Sequence, residues 1–160
     1  MNDHINILYV SLSGNTKAFI QKLTTELAKQ SIIVNSINVR ERPTQKKLLE
    51  PFVTFLPAFL KGGNGIDNGF KEILTTPLRR YLEFADNYKQ CYGIIGSGNR
   101  NFNKQFALTA KQYANDFGFP YLTDFELKGS KSDVTKISAL LIKKQSENSL
   151  AIEGSADTNA

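Results

Sequence analysis

Ile5-Asn6-Ile7-Leu8-Tyr9-Val10-Ser11-Leu12-Ser13-Gly14-Asn15-Thr16 is the stretch that decides how this chain folds. Its first half, Ile5 to Val10, is a short and nearly continuous apolar run, the pattern of a strand buried on both faces. Its second half is rich in hydroxyls and contains a glycine. Beyond it Phe19, Ile20, Leu23 and Leu27 recur at helical spacing, with Lys17, Gln21 and Lys22 off that face. A strand, a hydroxyl-rich turn and a helix thus follow one another. Backbone N–H groups at a helix start lack intrahelical partners and the helix dipole is positive there, so such a turn favours an anion. Ser11, Ser13 and Thr16 add hydroxyl donors. The same pattern also serves as a plain N-cap, and the motif alone leaves both roles open. The turn has no lysine, so it is not the loop of nucleotide triphosphatases, and it lacks the glycine spacing of dinucleotide-binding turns. A small hydroxyl-lined pocket of this kind suits a terminal phosphomonoester, such as that of FMN.

Further strands follow in the same rhythm. Ile32 to Val39 reads as a second strand, ending in the polar Arg40-Glu41-Arg42-Pro43, and Phe52 to Leu56 as a third, ending at Pro57. The stretch Lys61 to Gly69 holds too many glycines to favour helix or strand. Thr76-Pro77 is the pattern of a helix start, Thr at the N-cap and Pro at the first helical position, with Leu78, Tyr81 and Leu82 facing inward. Cys91 to Ile95 reads as a fourth strand, followed by a Gly96-Ser97-Gly98-Asn99 loop. Phe106, Ala110, Tyr113 and Phe117 share one face of the next helix. Tyr121 to Leu127 reads as a fifth strand, and Ser130-Lys131-Ser132-Asp133 as a capping box before a last helix carrying Val134, Ile137 and Leu141. Residues 1–145 are expected to form one domain. From 146 to 160 the chain is polar and small, the composition of a disordered tail.

Strand and helix mostly alternate, which implies a parallel sheet covered on both faces. Ligands of such sheets sit outside the carboxyl ends of the strands, where the strand order reverses. Three loops fall at such ends: the hydroxyl turn, the glycine-rich stretch and the Gly-Ser-Gly-Asn segment. One suits a phosphate, and the other two can flank a flat ring.

Composition narrows the function. At 160 residues the chain is about one domain with a full core. No apolar run approaches the roughly 20 residues of a membrane span, and Met1 to His4 lacks the pattern of a signal peptide. A single cysteine, Cys91, excludes an internal disulfide and fits a reducing cytoplasm. One His and one Cys argue against a metal site, and Cys91, opening a strand, reads as an inert core thiol. The net charge of +5 comes with no nucleic-acid motif. Arg40, Arg42, Lys46 and Lys47 form a basic cluster, either solvated or facing an acidic partner.

The hydroxyl turn matches, at each defined position, the hydroxyl-x-hydroxyl-Gly-x-Thr pattern of flavodoxin-like proteins. Gly96 to Phe102 together with Phe125 to Asp133 resembles, more narrowly, the NrdI family of small flavodoxin-like proteins that serve class Ib ribonucleotide reductase. The resemblance spans roughly Ile5 to Lys144 and implies a doubly wound α/β fold with a five-stranded parallel sheet, order 2-1-3-4-5, and helices on both faces. It implies FMN held without a covalent bond. Carried over by position, Ser11, Ser13, Gly14, Asn15 and Thr16 hold the phosphate. Pro57, Ala58 and Phe59, with Gly62, Gly63, Asn64 and Gly65, lie along the flavin ring, and Ser97, Gly98, Asn99 and Phe102 border its other side. It implies an activating redox protein, not a stand-alone turnover enzyme. Its partners are an electron-donating reductase, dioxygen and the radical-bearing small subunit, whose site is usually dimanganese and in some relatives a metal-free modified tyrosine. The reduced protein makes an oxidant at the level of superoxide or peroxide, from which the small subunit's tyrosyl radical is built. The Phe59 to Thr76 segment is longer than in compact members of the family, and the chain has no Trp to stack on a flavin. Lys61 and Arg100, on the expected flavin loops, favour an anionic reduced flavin or are simply solvated. A general one-electron carrier and a cofactor-free protein-binding module are the alternative readings.

Overall fold

The computed structural model describes residues 4–11, 14–42, 44–57, 68–98 and 108–158, with backbone alone at 68–75, 108 and 148–158. Strand β1 (His4–Tyr9) lies inside the sheet, between β2 (Ile33–Asn38) and β3 (Phe52–Pro57). Beyond β3 come β4 (Cys91–Gly98) and β5 (Tyr121–Glu126), all parallel, in the order β2-β1-β3-β4-β5. That is the order expected from the family resemblance.

Burial on both faces explains the nearly continuous apolar pattern of β1. Ile5, Ile7 and Tyr9 enter a core with Phe19, Leu23 and Leu27 of α1 (Asn15–Ala28) and Ile137 and Leu141 of α4 (Lys131–Thr158). Leu8 and the following Val10 enter the opposite core, with Leu78 and Tyr81 of α2 (Asn68–Glu83) and Ala110 and Tyr113 of α3 (Leu108–Phe117). In the first core the rings of Phe19 and Phe125 stack at 3.9 Å between centroids. Burying side chains of this size stabilises by about 1.5–3 kcal/mol each, so the two cores hold the sheet between its helices.

The local structure departs from the sequence reading at three places. Pro77 does not start a helix: α2 begins at Asn68 and Pro77 lies inside it. Proline has no N–H to offer the carbonyl of Ile73, yet Leu78, Tyr81 and Leu82 are fully buried just beyond, and that packing outweighs one missing bond. Second, β4 runs on through Gly96-Ser97-Gly98, because Pro57 pairs with Ser97 and Gly98 with Glu126. Neighbours on both sides extend a strand that its own glycines disfavour. Third, Phe84–Gln90 forms a 3₁₀ segment in which Ala85 and Asp86 have positive φ, a turn that the sequence does not announce. The last helix, α4, is described as far as Thr158.

The start of α4 is capped as its sequence predicts. Asp133 N–H donates to Ser130 Oγ at 3.1 Å, and Ser130 N–H donates to Asp133 Oδ2 at 2.8 Å. Cys91 is buried, and desolvation pushes its thiol up to about 11, as befits an inert core residue. His4, for which the sequence offers no role, hydrogen-bonds Glu50, and its carbonyl accepts from Gln145 Nε2. No helix among the described residues is long and apolar enough to cross a membrane.

Candidate functional site

The strand order reverses between β1 and β3: the chain leaves β1 towards β2, and leaves β3 towards β4. The crevice outside the carboxyl ends of these strands is where doubly wound sheets bind ligands. Ser11 and Gly14–Thr16 follow β1, Pro57 ends β3, and Ser97 and Gly98 end β4. Val10 N–H donates to Phe55 O at 3.4 Å and Pro57 is in register with Ser97, so the fold sets these three strand ends side by side. Ser13, Ala58, Phe59, Gly62, Gly63, Asn64, Gly65, Asn99 and Phe102 lie outside the described residues, as do Lys61 and Arg100.

The turn after β1 has a backbone that only a few residues accept. Gly14 caps α1 at φ 89°, ψ −10°, in the left-handed region. Among the described residues a Cβ there would meet nothing within 4 Å, so glycine is favoured by conformation and not by crowding. Gly14 supplies no side-chain cap, and the first intrahelical bond runs from Ala18 N–H to Gly14 O at 3.0 Å. The N–H groups of Asn15 and Thr16 precede that bond and belong to the orphan donors of the helix start. Lys17 N–H reaches Ser11 Oγ at 3.3 Å, a long contact from three residues before the cap. Ser11 is buried, and Thr16 is only 1 % exposed.

Thr16 Oγ1 is buried and, among the described residues, has no hydrogen-bond partner. Leaving a hydroxyl in that state costs about 1–3 kcal/mol. Nearly all buried polar atoms are satisfied, so one at a helix N-terminus, beside orphan N–H donors, fits a site built for an acceptor from outside the chain. A phosphate supplies such acceptors, and the donor set present suits it.

A second layer, not foreseen in the sequence as part of this site, braces the turn from β2. Val39 N–H donates to Tyr9 O at 2.9 Å, and Arg40 Nη1 donates to Ser11 O at 3.2 Å. Arg40 N–H in turn donates to Asn38 Oδ1 at 3.2 Å, and Asn38 O accepts from the N–H groups of Glu41 and Arg42. Lys17 Nζ pairs with Glu41 at 2.7 Å, which holds the Glu41 carboxyl below its ordinary value. The structure therefore divides the basic cluster: Arg40 binds the carbonyl of the hydroxyl turn, whereas Arg42, Lys46 and Lys47 border a separate groove along β2. The only sequence signal for Arg40 is its place one turn after a strand that neighbours β1. Tyr9, at the end of β1, has its phenol pushed up by burial and then by Glu41. Among the described residues no group of His, Cys, Asp and Glu is arranged to hold a metal.

Comparison with known proteins agrees with this fold. A family model described as NrdI flavodoxin-like matches residues 7–139. A protein described as NrdI-like from Streptococcus pyogenes serotype M18 is 47 % identical over 142 residues, covering 88 % of this chain and 93 % of the relative. Protein NrdI from Bartonella tribocorum is 33 % identical over 129 residues, covering 80 % and 86 %. Among solved structures, oxidised flavodoxin 1 from Bacillus cereus superposes with a TM-score of 0.57 at 15 % identity, covering 88 % of this chain and 97 % of that one. A short-chain flavodoxin associated with a PDU bacterial microcompartment gives 0.56 at 14 %, covering 90 % and 99 %. At such identities these two structures speak for the fold alone.

Proposed function

The chain belongs to the NrdI flavodoxin-like family, and from that premise we propose that it is an FMN-binding redox protein that activates a class Ib ribonucleotide reductase. The observation that most supports a phosphate-bearing ligand is the buried, partnerless Thr16 hydroxyl at the first turn of α1. In this reading Ser11, Ser13, Gly14, Asn15 and Thr16 bind the 5′-phosphate of FMN through N–H and hydroxyl donors. Pro57, Ala58 and Phe59 with Gly62, Gly63, Asn64 and Gly65 border one side of the ring, and Ser97, Gly98, Asn99 and Phe102 the other. Residues 1–145 form the binding unit.

Bound FMN supplies the electron chemistry, and the protein contributes binding, orientation and access. Thr16 donates its hydroxyl hydrogen to a phosphate oxygen and so gains the partner it lacks. Gly14 turns the backbone so that successive N–H groups converge. Arg40, fixed on the Ser11 carbonyl, adds positive charge at the same corner. Reloaded by an electron-donating reductase in the cytoplasm, the protein reacts with dioxygen. It delivers an oxidant at the level of superoxide or peroxide to the small subunit of the reductase, where a tyrosyl radical forms.

The first test is a titration of the folded protein with FMN and with riboflavin, followed by flavin fluorescence and visible absorption. FMN is expected to bind much more tightly than riboflavin. Failure of the folded protein to bind FMN overturns the proposal. The second test mixes reduced protein, dioxygen and the host's candidate small subunits. A tyrosyl radical signal by electron paramagnetic resonance is expected. Its absence with every small subunit leaves a general one-electron carrier.

A further inference from the structure

The two edges of the sheet are built differently. The outer strand β5 is Tyr121-Leu122-Thr123-Asp124-Phe125-Glu126, with two carboxylates along it. The outer strand β2 is Ile33-Val34-Asn35-Ser36-Ile37-Asn38, with no charge and no proline. Charged residues and proline are the usual devices that keep an edge strand from pairing with another chain, and β2 has neither. Among the described residues no strand pairs with its outer side.

The connection from β2 to β3 explains why the sheet face beside this edge is open. Over the described residues between Val39 and Pro51 it forms turns and extended chain but no helix. A helix at this point of a doubly wound sheet would cover β1 and β2 on the α2–α3 side. Instead a groove of about 1220 Å³ runs along β2, between it and residues 46–50. Ile33 and Leu49, 66 % and 77 % exposed, give it apolar walls, and Arg42, Lys46 and Lys47 give it a basic border. Its floor is polar and satisfied: Asn35 Nδ2 donates to Asn6 Oδ1 at 3.3 Å, and Asn6 Nδ2 donates to Glu50 Oε2 at 3.0 Å. Glu50, also bonded to His4, is held below its ordinary value and stays ionised but engaged. Among the described residues of the hydroxyl turn, none lines this groove.

We propose that the β2 edge and its groove are a docking surface for an extended acidic segment of a partner protein. The segment adds as a further strand beside β2, with apolar side chains against Ile33 and Leu49 and carboxylates facing Arg42, Lys46 and Lys47. Backbone hydrogen bonds supply the pairing, and charge selects the sequence. A second copy of this chain is disfavoured as occupant, because two-fold pairing of β2 with itself brings the same three cations together from both sides.

The test uses the full-length ¹⁵N-labelled protein and a capped synthetic peptide in which Glu or Asp alternates with Val or Ile. A control peptide carries Lys at every acidic position. Addition of the acidic peptide, at up to about 1 mM, is expected to slow amide exchange at Ile33–Asn38 and to shift resonances of the groove. The lysine peptide is expected to bind at least about tenfold more weakly, and the exposed double substitution Lys46→Glu/Lys47→Glu to lose about tenfold in affinity. Ile33→Glu, on an exposed side chain that the fold does not need, sets a carboxylate against the acidic peptide and is expected to weaken it at least about tenfold without lowering the melting midpoint. Equal binding of both peptides, protection confined to residues away from β2, or no binding at all overturns the proposal. So does self-association of the chain through β2 in sedimentation velocity.

Discussion

Two helices of this protein begin with hydroxyl-bearing turns, and they handle their free N–H groups in opposite ways. At α4, Ser130 and Asp133 bond to each other's backbone N–H groups, and the start of the helix is closed by its own side chains. At α1, Gly14 offers no side-chain cap, Ser11 reaches one donor at 3.3 Å, and the Thr16 hydroxyl is buried with nothing to bond. The difference lies in place as much as in residue type. The turn before α1 stands at the strand-order reversal between β1 and β3, whereas α4 follows β5 at the sheet's edge. A hydroxyl-rich turn therefore suggests an anion site only where its donors stay unused and the fold opens a crevice in front of them.

Substitution at Thr16 strains this contrast most. Thr16→Val keeps the shape and removes the orphaned hydroxyl. It is expected to weaken FMN by about 1–3 kcal/mol while the stability of the flavin-free protein does not fall, since the lost group had no partner to lose. Affinity by fluorescence titration and melting by circular dichroism check both halves. A stability loss without an affinity loss would make Thr16 an ordinary core residue.

Gly14→Ala comes next. At φ 89° an alanine is expected to cost about 1–2 kcal/mol of stability in urea unfolding, with Gly14→Asn costing less because asparagine tolerates the left-handed region. Ser130→Ala is the mirror of Thr16→Val: about 1 kcal/mol of stability lost and FMN affinity unchanged. Arg40→Gln is a smaller change. It is expected to loosen FMN by about 0.2–1 kcal/mol, an effect that salt diminishes, and to leave riboflavin binding as it was.

Cys91 allows the turn variants to be compared on one scale. Its buried thiol, with a value pushed up to about 11, is expected to resist a disulfide reagent at about pH 8 until the protein unfolds. The native state holds that proton more tightly than the unfolded chain. This contribution to stability is therefore full below the ordinary thiol range, and it is lost as pH rises through the native value. Unfolding midpoints measured from pH 8 to about 11 are expected to fall in that direction.

Much of the fold was legible because each strand interior carries its own signal. The largely apolar runs of β1, β3 and β4 are buried on both faces, and the inner faces of α1, α3 and α4 follow the helical period. The errors fell where neighbours overrule local preference. The run Gly96-Ser97-Gly98 is extended because β3 and β5 pair with it, and Pro77 is tolerated inside α2 because the residues after it are buried. The hydroxyl turn was visible as a motif, but Arg40 was not part of it. A guanidinium that meets Ser11 O across 29 positions of sequence leaves no local trace.

By itself the sequence determined the alternation of strands and helices, the glycine that opens α1, the cap that closes α4 and the family likeness of the turns. These depend on neighbours along the chain: apolar period, φ preference and short side-chain reach. Only the tertiary structure decided that the Thr16 hydroxyl at the turn stays unsatisfied, which cation lies beside the turn and which sheet edge is left open. Burial and pairing are properties of space shared by distant segments, and no stretch of residues carries them alone.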